Sequence, residues 1–592
     1  MTASSLRATL AALVVLFAAA AVAEDASPAK QLAELFQQSW EYSMAEDPLF
    51  ATHAGDHRFN DKLPRETLAD AKQRIEQQRA FLERLEAIPR EELSREDQIN
   101  YDIFRRQKQD AIAEHEFLSH LTPITNRSGF HVSFPELGVD VPLNSVEDYD
   151  NYIARLAAFD QYVDDHIELM REGIKQQVTL PSVVLDDIDQ VLEAQIVDDP
   201  TQSALFDPLE ELPEDFDGAT HERLAKEAKA AIAEHVVPGY QKLLEFMTDE
   251  YLPNCREQIG ASALPQGRAF YRHRVRHHTT LDVDPQVVHD TGLAEVRRIK
   301  GEMREVIRST GFEGDFAAFV EFLRTDPQFY ADSPEELLEK TSFVLKEADG
   351  GLPALFGKLP RTPYGVREIP AFIAPRTTTA YYQPPAGDGT RAGFYYVNTY
   401  NLKSRPLYEI EALSLHEAVP GHHIQIALQQ ELEGQPTFRR FAHATAFVEG
   451  WGLYAERLGL EMGFYDDPYS NFGRLSYEMW RACRLVVDTG MHYLGWTRRQ
   501  AIEFMAENTA LTLHNITAEV DRYISWPGQA TAYKMGELKI RALRAEAEEK
   551  LGDRFDVRQF HDVVLGSGAV PLDVLSENVQ AYIAETSGEQ QP

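Results

Sequence analysis

The sequence predicts a mainly α-helical protein with a small β-sheet just ahead of the helix that carries His416-Glu417. Three observations predict it. Apolar residues recur at helical spacing through charged stretches such as "AKQRIEQQRAFLERLEAI" (71–88). The segment "FYYVNTY" (394–400) combines aromatic and β-branched residues, as a strand does. From Ser404 onward the helical pattern returns and dominates to the end.

The chain has 592 residues, 43% of them hydrophobic, enough for a large core or several. Its first residues, "MTASSLRATLAALVVLFAAAAVAED", set Arg7 before an apolar run from Leu10 to about Val22 that closes on Ala21-Val22-Ala23. That is the arrangement of a secretory signal, with the mature chain starting near Glu24. It predicts a periplasmic or secreted protein with no stable membrane insertion after cleavage. No Cys follows the cleavage pattern, which argues against a bacterial lipid anchor.

Residues 30–120, 146–176 and 219–252 read as helices. No Lys or Arg occurs between Lys175 and Arg223, and that acidic stretch reads as solvated loop and helix face. The net charge of −37 repels phosphate backbones and anionic membranes, so nucleic acid is excluded as a partner. "YRHRVRHH" (271–278) is a local basic run; as a strand it would set Arg272, Arg274 and Arg276 on one face. Residues 359–393 are rich in Pro and Gly and cannot be one long helix. The strand that follows is either a covered edge or one that takes up an extended peptide as a further strand, with Asn398 at the cleft. Thr497 and Gln500 fit a capping box that opens "RRQAIEFMAEN". Cys255 and Cys483 are the only cysteines, too few for a disulfide framework or a thiolate zinc site. A bound metal must then be held by His and carboxylate.

"HEAVPGHHIQ" (416–425) offers such groups. Two His four apart share one helix face, but here Pro420 takes the fourth position and the later histidines stand six and seven along. In a straight helix six steps turn about 240° and rise about 9 Å, and seven rise about 10.5 Å. Neither suits one ion. Pro420, however, cannot bond the carbonyl of His416 and its ring clashes there. Gly421 frees the next backbone angles. The pair predicts a bulge that returns a later His to His416. Downstream, "FVEGWGLYAERLGLEMG" (447–463) reads as a helix with Glu449 on an otherwise apolar stretch. Such a carboxylate is costly unless it is paired, to Arg439, Arg440 or Arg457, or bound to metal. "HEFLSH" (115–120) has similar residues but no Glu-Gly helix after it, and reads as a chance cluster.

His416-Glu417, Gly421-His422 and Glu449-Gly450 with Tyr454 and Glu456 resemble the gluzincin metallopeptidases. The mature chain resembles the bacterial domain-of-unknown-function family 885 through four motifs in order: "GFYYVNTYNLKSRPLYEIEALSLHEAVPGHHIQ", "FVEGWGLYAE", "RLVVDTGMH" and "WPGQATAYKMG". The resemblance implies a Zn2+ cofactor held by His416, His422 and Glu449, with Glu417 as general base. His422 is favoured over His423 because it follows Gly; His423 and Glu456 are the supporting or alternative groups. The fold it implies is gluzincin-like, with two helical lobes around a deep groove and the metal on its floor. The expected division is a signal peptide over 1–23, an N-terminal lobe over 24–280 and a catalytic region over 281–592.

Arg481, Arg484, Asp488 and His492 recur at helical spacing and form one polar stripe, with Arg484–Asp488 and Asp488–His492 able to pair. The stripe is either an internal strut or a groove lining in which His492 donates to the reacting carbonyl and an Arg holds a peptide carboxylate. Tyr523 and Tyr533 are candidates to stabilise an oxyanion, and Arg522 to clamp a carboxylate. The expectation is an exported zinc peptidase that hydrolyses short peptides, with the cleavage mode and oligomeric state open. Its rivals are a metal-dependent amidase or esterase on a non-peptide bond, and an inactive metal- or peptide-binding envelope protein.

Overall fold

The computed structural model describes residues 27–588, apart from 126–127, 372–373, 375–377 and 387–390. The expected signal segment lies outside the described residues. The fold is mainly α with one small sheet, as expected. The chain divides into two compact units. One holds the described residues up to Thr179 with Leu185–Cys255 and Pro436–Arg439; the other holds Leu180–Val184, Arg256–Gln435 and Arg440 onward.

In the first unit, helices Pro28–Glu46, Leu68–Glu86 and Arg95–Glu116 contribute Leu32, Phe36, Phe81, Leu85 and Phe104 to one core. Asp70 and Asp148 close capping boxes with Thr67 and Ser145, which satisfy the first backbone N–H groups of two helices. The "HEFLSH" residues do not gather as a ligand set. His115 and His120 stack ring on ring at 4.3 Å, and Glu116 pairs with Arg79 at 2.8 Å.

The second unit carries the site, and its elements are numbered here as α1 (Pro285–Ser309), β1 (Tyr364–Glu368), β2 (Ala380–Gln383), β3 (Gly393–Val397), α2 (Ile410–Glu417), α3 (His422–Gln430), α4 (Thr445–Met462), α5 (Pro468–His492), α6 (Leu513–Ser525) and α7 (Ala532–Leu551). The basic run 271–278 is helical, within Gly267–Thr279, rather than a strand. Tyr271 and Val275 decide it: four apart, both are fully buried on one face of that helix.

β3 is the central strand, not an edge. It pairs parallel with β1 and antiparallel with β2, so neither side is left to take up a peptide. Burial alternates along it, with Gly393, Tyr395 and Val397 inward. The two outer strands lie inside the Pro- and Gly-rich stretch, where composition hid them.

α5 is buried over nearly its whole length and packs along α1. α4 crosses α7 at Gly450 and Gly536; a Cβ on Gly450 would lie 2.5 Å from the Gly536 Cα, so the two backbones touch. Beneath this crossing Lys534, wholly buried, reaches Glu295 at 3.0 Å, Glu478 at 2.7 Å and Glu537 at 2.9 Å. Glu478 also meets Arg298 and Arg474. The network joins α1, α5 and α7 and holds Glu478 well below the usual carboxylate range against the cost of its burial. The expected Thr497–Gln500 capping box is formed in both directions. Cys255 and Cys483 do not form a disulfide with each other, and Cys483 is buried. No helix among the described residues is long and apolar enough to cross a membrane.

Candidate metal centre and the residues around it

The stretch 416–423 is not one helix. α2 stops at Glu417, residues 418–421 make a turn, and α3 starts at His422. The expected bulge inside a continuous helix is therefore a full break. Pro420 lacks the N–H that would continue α2, and its bond to Val419 is cis. A Cβ on Gly421 would lie 1.9 Å from the His416 carbonyl oxygen, so only glycine lets the chain fold back over the end of α2. The turn is tied by the N–H of His423 donating to Ala418 O at 2.9 Å and the indole of Trp451 donating to Pro420 O at 2.9 Å.

The fold-back sets the rings of His416 and His422 4.8 Å apart at 88°. Glu449, on the first turns of α4, completes the group. Its Oε2 stands 3.6 Å from His416 Nε2 and 3.8 Å from His422 Nε2. A tetrahedral ion bound at about 2.0–2.2 Å needs ligand atoms roughly 3.3–3.6 Å apart, close to these spacings. Two imidazoles and a carboxylate are also a donor set that suits zinc. On both counts the residues fit the ion. α4 reaches this position because Gly452 has no side chain: a Cβ there would lie 2.7 Å from the His416 ring.

The supporting bonds divide the two later histidines. His416 Nδ1 bonds Glu456 Oε1 at 2.8 Å, which fixes the ring and aims Nε2 at Glu449. Gln425 lies beside His422. His423 points the other way. Its Nδ1 bonds the Tyr382 hydroxyl at 2.8 Å and its ring packs on Tyr364 of β1. His422 thus joins the cluster, and His423 anchors α3 to the sheet.

Burial opposes charge on His416, but the Glu449 and Glu456 carboxylates push it up to about 9. Burial raises Glu449, yet the contact with His416 and the charge of both histidines hold it down to about 2. Burial, with His416 adding to it, lowers His422 to about 4. Burial also pushes Glu417 up to about 7, against the lowering pull of His416. The cluster therefore takes up one positive charge between carboxylates. An ion entering it would displace the His416 proton.

The remaining candidates lie in a second cluster on α5, α6 and α7. The Tyr523 hydroxyl accepts from Trp480 Nε1 at 3.0 Å and from Arg484 Nε at 2.9 Å. Both acceptor positions are filled, so its own O–H is the group left to donate. Arg484 reaches Glu519 at 3.2 Å and lies 4.4 Å from the Tyr533 ring. Arg522 stands 3.8 Å from Glu519 and donates to Gln529 at 3.0 Å. Arg481 connects the two clusters: it lies 3.7 Å from Glu456 and 4.6 Å from the Trp480 ring, on which Arg484 also lies, at 4.4 Å.

Three expectations are overturned. His492 cannot donate to a reacting carbonyl, because its Nδ1 accepts from Ala261 N and its Nε2 donates to Tyr523 O, both at 2.9 Å in full burial. Asp488 pairs with neither Arg484 nor His492; it accepts from Tyr271 at 2.6 Å and Gly528 N at 3.0 Å. Asn398 is fully buried and donates to Ala374 O and Thr378 O, holding the chain after β3 instead of lining a cleft. Sequence reasoning missed Trp480 and Glu519, whose helical spacing from Arg484 and Arg522 was the available signal.

The fold and this cluster define a mainly α protein with a His-His-Glu group built across a helix break. The chain belongs to the family described as "Bacterial protein of unknown function (DUF885)", which matches residues 48–579. Among solved structures it is similar to a "putative lipoprotein" from Colwellia psychrerythraea, at 30% identity and a TM-score of 0.88 over 94% of this chain and 100% of that one. It shares its fold with a "putative lipoprotein of unknown function" from Shewanella oneidensis, at 18% identity and a TM-score of 0.69 over 93% and 99% of the two chains. No curated protein matches the chain.

Proposed function

We propose that this protein is an exported, zinc-dependent peptidase acting on short peptides. The observation that carries the reading is the convergence of His416 Nε2, His422 Nε2 and Glu449 Oε2 within 4.8 Å of one another, with Glu417 next to His416 in the chain. A zinc ion bound there would polarise a carbonyl and acidify water. Glu456 holds the His416 ring in register. Glu417, half-buried, takes a proton from the attacking water and passes it to the leaving nitrogen. Tyr523, with its O–H left to donate, is the group that would bond a developing oxyanion. The intact base supports an enzyme over a passive metal binder. Export is supported by the signal-like residues 1–23 and by likeness to a protein described as a "putative lipoprotein".

The test is mass spectrometry of products from a mixed peptide library incubated with the zinc-loaded protein, run beside Glu417→Gln. Peptide hydrolysis by the wild type alone is expected. A panel of non-peptide amides and esters, cleaved while every peptide is left intact, would move the reading to an amidase or esterase.

A further inference from the structure

Arg484 and Arg522 are two guanidinium groups served by one nearby carboxylate. Both face Glu519, at 3.2 and 3.8 Å. Arg484 is 2% exposed, and its Nη1 has no hydrogen-bond partner; Arg522 Nε is likewise buried and unpartnered. Single buried donors without a partner occur elsewhere, as at Arg155 Nη1, but here they gather in one group. Arg481, on the preceding turn of α5, adds a third, since its Nε is also buried and unbonded.

The aromatic groups show how these charges are kept available. Arg484 lies 4.4 Å from the ring centres of both Trp480 and Tyr533, and Arg481 lies 4.6 Å from Trp480 and Tyr477. Stacking occupies the faces of a guanidinium and leaves the N–H groups at its edge free for a planar anion. Trp480 and Arg522 are only partly buried, so the cluster is open to solvent on their side. Arg481 also reaches Glu456, the residue that holds His416, which sets the cluster beside the metal centre.

We propose that Arg484 and Arg522, with Arg481 next to them, bind the free C-terminal carboxylate of a peptide and direct cleavage to bonds near that end. This rests on the peptidase reading for the identity of the ligand, but not for the anion site itself. A carboxylate accepts two N–H bonds in the plane of a guanidinium, which matches the donors left over. It would also supply the negative charge that one Glu519 cannot give to two arginines. A C-terminal amide would lose the charge and one acceptor.

The test is calorimetric binding of a tripeptide and its C-terminally amidated form, both N-acetylated, to zinc-loaded Glu417→Gln protein. The free acid is expected to bind about 10- to 100-fold more tightly, the worth of one or two bonds to a charged group. Adding Arg522→Gln, at the more exposed position, should bring the ratio close to one with the melting temperature nearly kept; Arg484→Gln is the second variant. Equal binding of acid and amide, or binding of neither, overturns the proposal even if the wild type cuts peptides. A clear preference for the acid in a protein whose wild type cuts no peptide keeps the anion site and removes the peptidase reading instead. Product mass spectra of the wild type add a further check: loss of C-terminal residues is expected, and cleavage that ignores amidation counts against the proposal.

Discussion

Two buried charged clusters in the second unit follow opposite rules. Around Lys534 every acid has a cation in reach: Glu295, Glu478 and Glu537 surround the ammonium at 2.7–3.0 Å, Arg298 shares Glu478 Oε1 with the lysine, and Arg474 takes Oε2. Around His416 the polar atoms instead face one shared point, 3.6 and 3.8 Å apart, beyond ordinary hydrogen-bond length. The first is closed on itself and joins three helices. The second is held open by bonds made behind it, from His416 to Glu456 and from Trp451 to Pro420. Internal neutralisation marks a strut; convergence with outside support is what the proposed metal site rests on.

Substitutions can break that contrast. The largest effect is expected from His416→Ala and Glu449→Ala, each of which should lose most of its zinc, read by elemental analysis of the purified protein, together with any zinc-dependent rise in melting temperature. Unchanged zinc in both would sink the ligand set. Glu417→Gln should retain zinc and lower peptide turnover by about a hundred- to ten-thousand-fold; full activity in that variant would remove Glu417 from the mechanism. Lys534→Met should do the reverse, costing about 3–5 kcal/mol in urea unfolding through uncompensated buried carboxylates while the folded protein keeps its zinc. Glu456→Gln keeps the shape but not the charge behind His416, and should weaken zinc about 10- to 100-fold in competition with a chelator. His423→Ala is the smallest: zinc content unchanged, with about 1 kcal/mol lost with the Tyr382 bond. Loss of zinc there would reverse the assignment of the two histidines.

What the sequence revealed follows the same division. The convergence of His416, His422 and Glu449 was legible in residue type and spacing, and Pro420-Gly421 announced a departure from the straight helix. The helical assignments around them were legible from periodicity. His492 was not, because a histidine bonded at both nitrogens to backbone looks, in sequence, like one waiting for substrate. Asp488 was misjudged for a related reason: helical spacing offers it Arg484 and His492, but Tyr271 and Gly528, more than 30 residues away in the chain, reach it first. β3 was read as a strand, yet its central place depends on β1 and β2, whose short pairing segments carry no pattern strong enough to stand out among prolines and glycines.

The bond from Trp451 to Pro420 gives the molecule a built-in reporter. The chain has five tryptophans, so an isotope-labelled sample shows five indole N–H resonances at most. The Trp451 proton is buried and held by the carbonyl at the bend between the two histidines. Its chemical shift and its exchange with deuterium would register any tightening of that bend, in a spectrum free of substrate and independent of catalysis.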